Sequence, residues 1–268
     1  MKKNIRVQVA NASGNITIFV LDYFPRSQYQ DVATQLLAME DLGGEQVAFV
    51  TGDTSMEMCG LEFCGNASRS FALMLAKERQ IENTAKIQIQ VSGCNETLGV
   101  DVDPANNYTR IKMPLPVSVI HMEDTGIDFL EGACLVDLDG IMHAVVTDVE
   151  ASDANFVLAK DYINDKYAPP AMGVMFFDSE KNFLTPVVYV RDVDTTYFEG
   201  SCGSGSTAVA AAFSLEEKSG IFQFEINQPA GMIISTIEKA HGDIKNVWIQ
   251  GPVSLSEVKE VTIHVPEQ

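Results

Sequence analysis

Hydrophobic and polar positions alternate over many short stretches of the chain, a pattern typical of half-buried β-strands. Such stretches lie at 5–9, 16–20, 47–51, 87–91, 98–102 and 111–113, and in the second half at or near 135, 144–147, 173–177, 187–191, 222–226, 232–237 and 247–250. Helical spacing of hydrophobic residues predicts helices over 28–40, 67–79, 151–167 and 204–218. Pro114 and Pro116 lie between the two halves and predict a linker.

The two halves share a short motif at a constant separation. Cys64-Gly65-Asn66-Ala67-Ser68 begins one predicted helix, and Cys202-Gly203-Ser204-Gly205-Ser206 begins another, with 202 − 64 = 138. Gly93 and Gly231 stand at the same offset, since 231 − 93 = 138. Two matches at one offset indicate a duplicated unit.

The helices that begin at these motifs are hydrophobic on every face. The runs 71–76 and 208–213 carry no charged residue, and a helix of this kind has to be enclosed. Because the surrounding elements are mostly strands, we expect an α+β fold made twice. Each of the two pseudo-symmetric domains would be a curled, mainly antiparallel sheet around one central helix.

Charge and composition exclude several classes of protein. The chain has 268 residues and a net charge of −19, which disfavours binding to nucleic acid and to anionic membranes. The longest hydrophobic runs have six residues, far fewer than the roughly 20 that span a bilayer, and no secretory signal is visible, so we expect a cytoplasmic protein. Five cysteines without a CxxC pair, and four histidines outside zinc-ligand spacings, predict reduced thiols and no metal site.

A cysteine at the start of a buried helix is suited to acid–base chemistry. The free N–H groups and the positive end of the helix dipole attract anions and favour a thiolate, which predicts a lowered cysteine pKa. If the two halves face each other, both thiols and both sets of donors meet around one substrate carboxylate. Inversion of a stereocentre by proton transfer needs a base on one face and an acid on the other, and two like groups provide both.

These motifs, together with Gly14-Asn15, resemble the signature of diaminopimelate epimerase and its relatives, the amino-acid racemases that do not use pyridoxal phosphate. The resemblance spans nearly the whole chain. It implies that Cys64 and Cys202 are catalytic and that no cofactor is needed. It also implies that the substrate is bound by Asn15, Gly65, Asn66, Gly203 and Ser204. The resemblance further implies a homodimer, the usual state of this family. We expect one domain at 1–116, completed by a C-terminal strand at 255–268, and a second domain at 117–254.

Within this family the chain is most similar to the histidine racemases of metallophore biosynthesis. The stretch 45–47 contributes to that similarity and implies that Glu45 lies near the substrate's imidazole or ammonium group. Diaminopimelate epimerases carry a Glu-Arg pair eight to nine residues before the second cysteine, where this chain has Val193-Asp194. We therefore expect histidine as the substrate, with diaminopimelate or another amino acid as the alternative.

Two other classes remain open at this point. Residues 203–208 also fit G-x-G-x-x-A, the dinucleotide fingerprint, which would make the protein an oxidoreductase. A binding protein without activity is the third class. His143 is interpreted as a core or rim histidine, and its resemblance to the family's Asn-Pro-His segment leaves a role behind the site open. Glu199 is interpreted as a surface charge, which would raise the pKa of a thiol if it lay beside one.

Overall fold

The structure is a computed structural model that describes residues 1–265. The chain divides into two compact units, one formed by Met1–Ile111 with the segment from Gln250 onward and the other by Lys112–Ile249. The boundaries expected after residues 116 and 254 lie a few positions further along. Residues 266–268, the end of the expected C-terminal strand, lie outside the described residues.

The first unit begins with seven strands and two helices. They are β1 (Lys2–Ala12), β2 (Asn15–Val20), α1 (Tyr29–Leu37), β3 (Gln46–Gly52), β4 (Ser55–Met58), α2 (Gly65–Glu78), β5 (Ala85–Val91), β6 (Leu98–Asp103) and β7 (Tyr108–Lys112).

The second unit follows with nine strands and two helices. They are β8 (Ser118–His121), β9 (Cys134–Asp137), β10 (Ile141–Thr147), α3 (Asp153–Tyr167), β11 (Ala171–Asp178), β12 (Phe183–Val190), β13 (Thr195–Phe198), α4 (Gly203–Phe213), β14 (Gly220–Gln228), β15 (Gly231–Ala240) and β16 (Asp243–Leu255). The end of β16 and the last strand, β17 (Lys259–His264), belong to the first unit, where both pair with β1.

The two units repeat one pattern of strand pairing. In the first, β1–β2, β3–β4 and β5–β6 are antiparallel, and β2–β3 and β4–β5 are parallel. In the second, β9–β10, β11–β12 and β14–β15 are antiparallel, and β10–β11 and β12–β14 are parallel. This repetition confirms the expected α+β fold of two pseudo-symmetric, mainly antiparallel units.

The central helices are enclosed as their sequences predict. Every residue of α2 from Gly65 to Ala76 is buried, and α2 packs against β1, β5 and β6. In α4 nearly all residues from Gly203 to Ala211 are buried, and the helix packs against β9, β10, β11, β14 and β15. A helix without a polar face is stable in this setting because no side of it has to face water.

A tight turn places the first predicted substrate contact. Ser13 and Gly14 both have positive φ, 54° and 95°, as a two-residue hairpin turn requires. The turn pairs Ala12 with Asn15 across β1 and β2, so Asn15 stands at the first position of β2.

Helix α4 is shorter than its sequence predicts. It ends at Phe213 rather than near residue 218, and the carbonyl oxygens just beyond this end are bound by a side chain from another strand. Lys239 of β15 donates hydrogen bonds to the carbonyl oxygens of Ser214 and Leu215 at 2.6 and 2.8 Å. Strands β4, β8 and β13 were not predicted, since four residues give barely two periods of alternation.

Candidate active site

Cys64 is the N-cap residue of α2. Its backbone is extended, with φ −128° and ψ 111°, and its Sγ accepts a hydrogen bond from the backbone N–H of Ala67 at 3.5 Å. Serine or threonine usually fills this position, because the side-chain oxygen satisfies one of the free N–H groups of the first turn. Here a sulfur takes that place, so the thiol lies against the positive end of the helix.

Gln46, the first residue of β3, connects Cys64 with Asn15. Its Nε2 lies 3.3 Å from Cys64 Sγ, 2.7 Å from Asn15 Oδ1 and 2.8 Å from Thr17 Oγ1. Asn15 Nδ2 in turn lies 3.4 Å from Glu45 Oε2. The structure therefore brings Asn15, Glu45 and Cys64 into one cluster.

Sequence reasoning did not assign Gln46 a role. The residue was part of the motif at 45–47, but its contact with the thiol depends on parallel pairing that sets Gln46 beside Thr17. The neighbouring Glu45 is held by a backbone hydrogen bond from its N–H to the carbonyl of Ile16 at 2.9 Å. Parallel pairing between β2 and β3 thus positions both side chains at the start of β2.

Gly65 and Asn66 form the first turn of α2 and are buried. The amide oxygen Oδ1 of Asn66 accepts a hydrogen bond from Arg69 Nε at 3.0 Å. Because the oxygen is engaged, the NH₂ group is the part of this amide that remains for a ligand.

Cys202 is the N-cap residue of α4, in the same conformation as Cys64, with φ −122° and ψ 115°. Its Sγ accepts from the N–H of Gly205 at 3.2 Å and lies 3.4 Å from Ser204 Oγ. Gln228 accepts from the Cys202 N–H at 2.7 Å and donates to Ser206 Oγ at 2.9 Å, which fixes the backbone on both sides of the thiol.

The pKa of Cys202 is shifted upward, whereas its position at a helix start predicts a downward shift. Burial raises it well above its ordinary value, and the charge of Glu199 and a hydrogen bond from the thiol to that carboxylate raise it further. Hydrogen bonds from Ser204 and Gly205 act in the opposite direction without overcoming the rise. The expectation of a low pKa is therefore wrong for Cys202, because desolvation and a neighbouring carboxylate outweigh the helix dipole.

His143 of β10 lies behind Ser204. Its Nε2 is 2.9 Å from Ser204 Oγ, its side chain is fully buried, and burial lowers its pKa to about 3. The imidazole is therefore neutral at physiological pH, and it orients a hydroxyl that itself touches Cys202. Sequence reasoning placed His143 correctly in a strand and left a role behind the site open without assigning it one.

The other three cysteines are not at the starts of α2 and α4, and each contacts a different kind of group. Cys59 Sγ is 3.7 Å from Gln30 Oε1, Cys94 Sγ is 3.5 Å from the carbonyl of Glu96, and Cys134 Sγ is 3.6 Å from His121 Nδ1. No disulfide joins cysteines within residues 1–265.

The dinucleotide interpretation of residues 203–208 does not fit the topology. That fold needs a parallel strand immediately before the glycine turn, whereas β13, which precedes α4, pairs antiparallel with β12. In the part of the chain that the structure describes, no three His, Cys, Asp or Glu side chains cluster to hold a metal ion. None of its described helices is long and apolar enough to cross a membrane.

Solved structures with a similar fold include two that are described as epimerases. A predicted epimerase from Pseudomonas aeruginosa is similar with a TM-score of 0.66 at 14% identity, over 96% of this chain and 99% of that one. A hydroxyproline epimerase from Agrobacterium vitis, solved with trans-4-hydroxy-L-proline bound, is similar with a TM-score of 0.63 at 13% identity, over 98% and 94%.

Sequence comparison identifies the family of this chain. The family model described as "Histidine racemase CntK N-terminal domain" matches residues 5–260, and the chain belongs to this family of isomerases. A histidine racemase of Fusobacterium nucleatum subsp. nucleatum is 32% identical over 255 residues, 91% of each chain. A histidine racemase of Staphylococcus aureus strain Mu50 is 27% identical over 257 residues, 91% of this chain and 92% of that one. The resemblance drawn from the paired Cys-Gly motifs is thereby confirmed.

Proposed function

We propose that the protein interconverts L- and D-histidine, with Cys64 and Cys202 as the acid–base pair. The observation that carries the proposal is the pair of thiols at the N-caps of two buried helices, each followed by glycine and each accepting a backbone N–H. Family membership and the names of the curated relatives support histidine as the substrate.

The surroundings of the two thiols favour different protonation states. Cys202 lies against the carboxylate of Glu199, which favours the thiol form. Cys64 Sγ accepts hydrogen bonds from Gln46 Nε2 at 3.3 Å and from the Ala67 N–H at 3.5 Å, and its S–H donates to Gln46 Oε1 at 3.6 Å when protonated, so donors are in place to hold a thiolate. In the resting enzyme Cys64 is therefore assigned as the base and Cys202 as the acid.

The chemistry then follows in one direction as two proton transfers. The Cys64 thiolate takes the α-proton, so that an S–H bond forms, the C–H bond breaks and its electron pair moves onto the α-carboxylate. The electron pair then returns from the carboxylate to the α-carbon as the Cys202 thiol gives its proton to the opposite face, so that a new C–H bond forms, the S–H bond breaks and Cys202 becomes a thiolate. The negative charge that develops on the carboxylate is stabilised by preorganised donors, the groups at Asn66, Gly65, Gly203 and Ser204. The reverse reaction exchanges the two roles.

Glu45 and Asn15 are assigned to the substrate's cationic groups. Their side chains are 3.4 Å apart and lie in the cluster that includes Cys64. A carboxylate here suits the ammonium group or a protonated imidazole. We expect Glu45→Gln to raise KM for histidine more than it changes kcat.

Racemisation in deuterated water tests the proposal. Purified protein, without added cofactor, is incubated with L-histidine or D-histidine, and α-deuterium and the opposite enantiomer are measured. Cys64→Ser and Cys202→Ser should each lower the rate by at least about 10²-fold. Cys59→Ser, which changes a thiol away from both helix starts, should retain the wild-type rate. Full activity in Cys202→Ser would refute the two-thiol assignment.

A substrate panel separates histidine from its alternatives. L-proline, trans-4-hydroxy-L-proline and diaminopimelate are assayed beside L-histidine under the same conditions. The proposal requires kcat/KM to be highest for histidine, and faster turnover of another amino acid would replace it as the substrate.

We also propose that the chain works as a cytoplasmic homodimer that binds neither nucleic acid nor membranes. The family resemblance supports the dimer, and a net charge of −19 disfavours polyanionic partners. Sedimentation should give about twice the 29.3 kDa of one chain, and cell fractionation tests the location. A monomeric mass, or recovery with the membrane fraction, would contradict these assignments.

A further inference from the structure

Arg69, in the second turn of α2, is a fully buried cation. Its relative exposure is 0%, and among the residues that the structure describes it is the largest fully buried side chain. A buried charge normally has an ionised partner, because the desolvation penalty is several kcal/mol. Within residues 1–265 no carboxylate forms an ion pair with Arg69, and its hydrogen bonds go to neutral acceptors: Ser13 Oγ at 2.8 Å, Asn66 Oδ1 at 3.0 Å, Thr109 Oγ1 at 3.4 Å, Gly251 O at 2.9 Å and Pro252 O at 3.3 Å.

Two of these acceptors belong to segments that carry expected substrate contacts. Asn66 lies in the first turn of α2, and Ser13 lies in the turn that leads to Asn15. Arg69 therefore joins these two segments, and two backbone carbonyl oxygens of β16 also accept from its guanidinium. Moving Arg69 would release the amide of Asn66 and the hydroxyl of Ser13 together.

The uncompensated charge also acts on the anions at the helix start. Arg69 is hydrogen-bonded to Asn66, two residues after the N-cap Cys64 in the same helix start, and the charges of Tyr108 and Cys64 act to raise the pKa of Arg69. Burial lowers the pKa of Arg69 to about 10, so it remains protonated at neutral pH. Because an electrostatic interaction is mutual, the guanidinium favours the thiolate form of Cys64. Its charge adds to the dipole of α2, which already favours anions.

We propose that Arg69 is a positioning residue that converts the start of α2 into an anion site, favouring the Cys64 thiolate and holding the Asn66 NH₂ group for a carboxylate ligand. The anion-site assignment stands on the contacts of Arg69. Only the identity of the ligand, the α-carboxylate of an amino acid, rests on the proposed function.

Substitutions at Arg69 separate its charge from its hydrogen bonds. Arg69→Lys keeps the charge, and Arg69→Gln keeps hydrogen bonding without it. Arg79→Gln is the control, since Arg79 ends the same helix region, is exposed, and donates only to the carbonyl of Asp53 among its described contacts. The rate of Cys64 alkylation by iodoacetamide at pH 7 is measured by peptide mass, and kcat and KM by racemisation.

The alkylation assay does not depend on turnover. Removing a nearby positive charge should slow alkylation of Cys64 by about tenfold or more in Arg69→Gln, because only the thiolate reacts. Arg69→Lys should stay within about threefold of wild type, and Arg79→Gln should match it. If wild-type protein fails to racemise histidine but these ratios hold, the proposed function fails and the anion site stands.

Asn66→Asp supplies a second route that does not remove the buried side chain. The new carboxylate would lie 3.0 Å from Arg69 Nε, neutralise its charge and keep the fold. Alkylation of Cys64 should again slow, and KM should rise. Folded Arg69→Gln or Asn66→Asp protein with the wild-type alkylation rate would overturn the proposal. So would equal losses of kcat in Arg69→Lys and Arg69→Gln with Cys64 reactivity unchanged, which would mark Arg69 as purely structural.

Discussion

Gly205→Ala is a small change that should disable Cys202. Gly205 is the third residue of α4, and its N–H donates to Cys202 Sγ at 3.2 Å. A Cβ at this position would lie 2.3 Å from Met175 Sδ and 3.2 Å from Cys202 Sγ. The corresponding residue in the first unit is Ala67, whose N–H donates to Cys64, so only the second unit requires glycine here.

The outcome depends on which of two opposing effects is larger. Glycine to alanine inside a helix normally stabilises by about 1 kcal/mol. Overpacking a buried site costs about 1–3 kcal/mol. Met175 is fully buried, and its Cε already lies 2.6 Å from where a Cβ on Gly173 would be. Because Met175 packs against both glycines and is fully buried, moving its thioether away from a new Cβ costs free energy. We therefore expect a net destabilisation of up to about 2 kcal/mol.

The effect on activity should exceed the effect on stability. Relief of the overlap moves Met175 or the N-cap turn that holds Cys202. Under the proposed two-thiol assignment, a displacement of the acid by 1 Å costs about 10²-fold. The assays are urea unfolding and kcat/KM for histidine. Gly205→Ala with Met175→Ala is the control, because it restores space and should recover part of the loss. A Gly205→Ala single variant with wild-type stability and kcat/KM would refute the packing argument.

Three further outcomes are expected. Glu199→Gln removes the carboxylate that helps raise the Cys202 pKa, so iodoacetamide should alkylate Cys202 faster at pH 8; an unchanged rate would leave burial as the sole cause. Burial lowers the pKa of His143 from 6.5 to about 3, so between these values the unfolded state binds one more proton. The free energy of unfolding should then fall by about 1.4 kcal/mol per pH unit as pH decreases, and His143→Gln should lose this component in urea titrations at pH 7 and 5. Lys239→Met leaves two carbonyl oxygens at the end of α4 without their donor. The free energy of unfolding should therefore fall by about 1–3 kcal/mol, while kcat/KM for histidine stays unchanged.

Much of the framework of this protein could be predicted from local patterns. Cys64 and Cys202 were predicted as candidate acid–base residues because a thiol, a glycine and a hydrophobic helix follow one another directly in the sequence. The enclosure of α2 and α4 was predictable because a helix without a polar face cannot lie at a surface. The end of α4 was missed, since it depends on Lys239, which comes from a strand 25 positions away from Ser214.

The sequence by itself determined the repeat, the two helix starts and the thiols that cap them, because these depend on residues adjacent in the chain. Tertiary structure alone decided what surrounds each thiol. Gln46 reaches Cys64 only through the parallel pairing of β2 with β3, and Arg69 is held by Ser13 and by the backbone of β16, 182 positions away at Gly251. Charge, burial and hydrogen bonding act through space, so the chemistry of two nearly identical motifs diverges only when the chain is folded.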